Sequence, residues 1–96
     1  MKLTKEQKIE FCDYAIKFYE KELKGPRDCK FGICDVYTDW IYDKDEIECE
    51  RMHSQFPTLY KEIVKRQIRR ASVFSWKKEN YKIRIEFLNK LKTQIL

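Results

Sequence analysis

Four side chains have the types and order of a tetrahedral metal clip: Cys29-x4-Cys34-x14-Cys49-x3-His53. Three thiolates and one imidazole are the donor set of a structural zinc site, which can hold a small domain together where its core alone would not. The first pair, however, lacks the two-residue spacing of a zinc knuckle. Free cysteine is also among the most buried residue types, acting as a small apolar filler. Cys12 falls on an apolar stripe and Cys34 lies beside another, so the favoured reading is buried thiols, a surface His53 and no cofactor. The zinc-stapled interaction domain stands as an alternative. Cys49 and His53 are one helical turn apart, as a thiolate–imidazole pair would require, but no oxyanion hole or orienting group accompanies them. The chain has no phosphate-binding glycine loop, dinucleotide fingerprint or His-Glu-x-x-His pair. A binding role is expected, and catalysis is not.

Charge points the same way. Residues 1–56 hold ten Lys/Arg against thirteen Asp/Glu, and residues 57–96 hold eleven against three, so the two parts carry −3 and +8, which sum to the net +5. The acidity peaks at Asp35, Asp39, Asp43, Asp45, Glu46, Glu48 and Glu50. With Tyr37, Trp40 and Tyr42 interleaved, this stretch reads as a protein-docking face that imitates stacked bases on a phosphate strip. Its candidate contact residues are Asp35, Asp39, Trp40, Tyr42, Asp43 and Glu46. The basic side gathers Lys65, Arg66, Arg69, Arg70, Lys77 and Lys78, continued by Lys82 and Arg84, with Phe74, Trp76 and Tyr81 near enough in sequence to stack on bases. Such rows neutralise phosphates, so a nucleic-acid or nucleotide ligand on the basic 61–84 surface is the second functional reading. Either patch has a plainer explanation as a solvated face, or as half of an internal pair in which the two cancel. Arg69-Arg70-Ala71-Ser72 has the form of a kinase site but carries little weight.

The elements that would position these groups are legible as helices. The chain is a single domain of 96 residues with 43% apolar and 15% aromatic content, enough for one core. Its 39% charged residues exceed the ~25% of ordinary domains. Two Gly and two Pro are too few for a turn-rich β fold. Thr4 and Gln7 have capping-box spacing, and Ile9, Cys12, Ile16, Tyr19 and Leu23 follow at helical steps until Gly25-Pro26. Ile33, Tyr37 and Trp40 predict a second helix, and Asp45 with Glu48 opens a short third. Phe56-Pro57 is expected to end it and start a fourth, with Tyr60, Ile63, Val64, Ile68 and Ala71 inward and the Lys61, Lys65 and Arg69 row outward. Ile47, Met52 and Cys49 are expected to face the core. Asn80 can cap a last helix carrying Tyr81, Ile85, Leu88, Leu91 and Ile95, although the Ile83, Ile85, Phe87 alternation also suits a short strand. The expected fold is all-α, a compact domain of four to five short helices, with a small α+β domain as the alternative. No apolar run approaches a membrane span and the N-terminal residues lack a signal-peptide apolar stretch, so the expected setting is the cytosol, with reduced cysteines and no membrane partner.

Gly32-Ile33-Cys34, then Phe56-Pro57-x-Leu59-Tyr60, then Trp76 before Arg84-x-x-Phe87-Leu88-x-x-Leu91, resembles a loose group of small proteins encoded by bacteriophages and prophages. The resemblance spans Gly32 to Leu91, about two-thirds of the chain. It implies no catalytic residues. It implies an accessory phage protein in the host-cell cytosol that blocks or redirects a host component, such as a defence protein. A host protein is the expected partner, and self-association into a homo-oligomer is a further expectation for so polarised a domain.

Overall fold

Thr4 opens the first helix by the reciprocal bonds its spacing predicts: its Oγ1 accepts from the Gln7 N–H at 3.1 Å, and its own N–H donates to Gln7 Oε1 at 2.9 Å. The computed structural model describes residues 2–26, 31–65 and 78–95, the last segment with side chains from Tyr81 onward. Helix α1 runs Lys5–Leu23 and buries Phe11, Cys12, Ala15, Ile16 and Tyr19 on one face. It closes where expected, with the Gly25 N–H bonding back to the Glu22 carbonyl at 3.1 Å.

Helix α2, Ile33–Ile41, buries five of its nine residues: Ile33, Val36, Tyr37, Trp40 and Ile41. Its first turn is held by Asp35, whose carboxylate accepts the Gly32 N–H at 3.0 Å. Helix α3 begins after Asp45, whose Oδ1 accepts from the Glu48 N–H at 2.9 Å, a cap visible in the sequence.

The expected break at Phe56-Pro57 does not occur. Helix α3 continues from Glu46 to Val64 with Pro57 inside it, despite a cost of about 3 kcal/mol for an interior proline. The reason is packing. Met52, Leu59 and Ile63 are buried, and Phe56 packs against the same core at the intervening position. One stripe therefore crosses the proline, which itself faces solvent. The same stripe corrects the placement of Ile47. Five residues from Met52, it sits about 140° around the helix at 100° per residue, and it is 81% exposed.

Helix α4, Lys78–Ile95, starts two residues before Asn80 and settles the strand alternative in favour of helix. Tyr81, Phe87, Leu88 and Leu91 are buried, with Ile83, Ile85 and Ile95 packed at the edge of the core. Packing runs α1 to α2, α2 to α3, α3 to α4 and back to α1, with α1 against α4 the most extensive. The fold is all-α, with four helices and no strand among the described residues, and its radius of gyration is 13.0 Å. None of these helices is long and apolar enough to cross a membrane.

Aromatic side chains hold the ring together. Phe11 meets Tyr37 edge-on at 5.2 Å and Trp40 at 5.5 Å, and Tyr37 stacks obliquely on Phe56 at 4.8 Å. The Tyr37 hydroxyl donates to the Met52 carbonyl at 2.5 Å, tying α2 to α3. Ion pairs brace the outside: Lys8 with Glu62 at 3.1 Å and Lys92 with Asp13 at 2.5 Å. Neither uses the acidic stretch 35–50. Among the described residues no ion pair joins that stretch to the basic part of the chain.

Candidate interaction surface

The acidic stretch divides into residues that build the fold and residues that face solvent. Asp35 caps α2, and Asp45 caps α3. Asp39 accepts a hydrogen bond from the Tyr14 hydroxyl, which clasps α2 to α1. Glu48 pairs with Arg51 one turn later. Trp40 is the clearest correction. It is 6% exposed, packed on Phe11 and Tyr37, and its indole N–H donates to Glu10 Oε1 at 3.1 Å. An amphipathic ring with a satisfied N–H belongs in the core edge here and is not a contact surface.

Tyr42, Asp43 and Glu46 remain from the predicted docking set, all exposed. Ile47 and Glu50 are exposed beside them in sequence. Tyr42 is 83% exposed and Ile47 81%, and with Phe31 they are the large apolar side chains most open to solvent among the described residues. The α2–α3 corner therefore presents two apolar knobs between carboxylates. Ile47 was missed because Asp45 and Glu48 mark a helix start without saying which face turns inward.

The basic set is reduced. Arg84 is 1% exposed and lies between two rings, its guanidinium carbon 5.3 Å from the centre of Tyr19 and 5.4 Å from that of Tyr81. It is a core cation, because its position on α4 shares the face of Tyr81 and Leu88. Lys61, Lys65 and Lys82 are exposed. Arg66, Arg69, Arg70, Trp76 and Lys77 lie outside the described residues, as do Ile68, Ala71 and Ser72, and Lys78 is described only as the first residue of α4.

Among the described residues no three His, Cys, Asp or Glu side chains converge as metal ligands. Cys34 is exposed, contrary to its expected burial, because it follows Ile33 on the outward side of α2. Cys49 is half-buried, Cys12 is buried and His53 is exposed. Cys29 lies outside the described residues.

Three phenols among the described residues are harder to ionise than usual, Tyr60 through burial and two others more strongly. The hydrogen bond to Asp39, then burial, then the negative charges of Asp39 and Asp43 push Tyr14 up to about 12 from 10.0. Burial alone pushes Tyr37 up to about 12. Between these values the unfolded chain has lost protons that the folded one keeps, so stability is intact below pH 10 and falls as pH rises towards 12. Melting temperatures across that window should decline less steeply for Tyr37→Phe than for the parent; parallel slopes would show that Tyr37 does not contribute.

Comparison with known proteins finds no matching family model, curated relative or solved structure.

Proposed function

We propose that this chain is a non-enzymatic binding protein of the phage accessory kind, which occupies a basic surface of a host protein with its α2–α3 corner. The observation that carries the reading is the pair of exposed apolar side chains, Tyr42 and Ile47, set among Asp43, Glu46 and Glu50. Apolar anchors with a charged rim are the anatomy of a docking patch: the anchors supply affinity, and the carboxylates steer the approach and reject acidic competitors. Inhibition or sequestration then requires only that the corner cover a surface the host protein uses. The phage setting is supported by the resemblance of Gly32–Cys34, Phe56–Tyr60 and Arg84–Leu91 to that group.

Asp43→Lys with Glu46→Lys is the charge test, and Tyr42→Ala with Ile47→Ala the anchor test. Asp39 is left intact because it holds α1. Losing a central tyrosine anchor costs about 2 kcal/mol, roughly thirtyfold in affinity. Host-lysate pull-downs should retain a partner on the parent chain and lose it on both variants, with unchanged helical circular dichroism. Equal retention by all three would remove the reading.

The exposed Lys61, Lys65 and Lys82 support a second reading, nucleic-acid or nucleotide binding by the basic surface. It requires association that weakens steeply with salt. An absence of binding to single- or double-stranded probes and free nucleotides at low salt would remove it.

A further inference from the structure

The outward side of α1 carries a shallow groove of about 260 Å³ lined by Tyr14, Lys17, Phe18 and Lys21. Its floor is aromatic. Lys17 and Lys21, one helical turn apart and both exposed, supply two positive charges at its edge. The α2–α3 corner has the opposite character, with apolar Tyr42 and Ile47 in a net negative setting of Asp43, Glu46 and Glu50 against Lys44. Groove and corner thus complement each other in both shape of chemistry and sign of charge.

Groove and corner are linked through α2. Tyr14, which lines the groove, donates its hydroxyl proton to Asp39, one helical turn before Asp43. A chain cannot fold its own corner into a groove braced beside it by that bond. A second copy, turned by a two-fold axis, can: each corner then meets the other copy's groove, and the contact is made twice.

We propose that this chain forms a symmetric homodimer in which Tyr42 and Ile47 of each copy enter the Tyr14–Phe18 groove of the other, with Asp43 and Glu46 facing Lys17 and Lys21. The proposal rests on the reading of the corner as a docking face and adds its resting occupant. Dimerisation covers the corner, so a host partner must displace the second copy, and partner capture falls as dimer accumulates.

The test is a charge exchange read by sedimentation velocity over a concentration series. The parent chain should dimerise. Lys17→Glu with Lys21→Glu, and separately Asp43→Lys with Glu46→Lys, should each raise the dimer dissociation constant by about tenfold or more, because each homodimer then has two like-charge contacts. An equimolar mixture of the two variants should dimerise again, since a heterodimer has one native contact and one reversed but complementary contact. That rescue also shows that both variants are folded. A monomeric parent, dimers indifferent to either exchange, or a mixture that stays monomeric would each overturn the proposal. The groove exchange leaves the corner intact, so the two readings fail separately. A monomeric parent that still captures a partner refutes the dimer alone. A dimer whose corner variants capture as well as the parent refutes the host-docking reading alone. If the parent is monomeric and the groove exchange abolishes capture, the groove belongs to the partner and the dimer is refuted.

Discussion

Trp40→Ala is expected to lower the free energy of unfolding by about 3–5 kcal/mol, the range for truncating a buried aromatic residue. A domain of this length has roughly 5–14 kcal/mol in total, at 0.05–0.15 kcal/mol per residue. One truncation should therefore remove a large share of the stability. Three losses add together: the packing on Phe11 and Tyr37, the cavity left beside those two buried rings, and the bond from the indole N–H to Glu10. The last leaves the Glu10 carboxylate, whose residue is exposed, to water, so it is the smallest. Tyr42→Ala, two residues on, should change stability by no more than about 0.5 kcal/mol, as surface substitutions do, while weakening partner capture. Urea unfolding of both variants gives the comparison. Equal effects on stability would mean that the core and the corner have been assigned to the wrong aromatic residues.

Arg84→Ala is the second large effect, a loss of about 2 kcal/mol or more. The guanidinium lies within 5.4 Å of two ring centres and is shielded from water, where cation–π attraction is strongest. Truncation removes both ring contacts and opens a void between α1 and α4, the most extensive packing in the molecule. Arg84→Met keeps most of the volume and the apolar contact with both rings, so it should lose markedly less. If alanine and methionine prove equally harmless by urea unfolding, the arginine is not a structural cation. In nucleic-acid binding assays neither change should alter the salt dependence, because Arg84 does not reach phosphate.

Both residues mark the limit of what the sequence disclosed. Periodicity and capping located the helices well. Thr4 with Gln7 and Asp45 with Glu48 sit where their spacing puts them, since a cap needs only three or four residues of local chemistry. Residues with two natures were misassigned. Tryptophan and arginine each pair an apolar body with polar N–H groups, so their type does not say whether they line a core or a surface. Only the tertiary neighbours decide, Phe11 and Glu10 for Trp40, Tyr19 and Tyr81 for Arg84. Pro57 was misread for the same reason. Its local cost is real, yet the stripe from Met52 to Ile63 spans it and the core outweighs the break. The groove on α1 had a signal, Tyr14 and Phe18 at i, i+4 beside Lys17 and Lys21 at the same spacing. It was overshadowed by the stronger stripe on the opposite side of that helix.

Because α4 supplies the main cover for α1, the first helix is made well before its principal neighbour. At about 5–20 residues per second, the 72 residues from Leu23 to Ile95 take roughly 4–14 s to synthesise. For that interval the nascent chain shows the ribosome and its chaperones an amphipathic helix whose Tyr19 side still lacks Tyr81 of α4. Completion of the last helix, more than any earlier step, is what converts a sticky nascent segment into a closed domain.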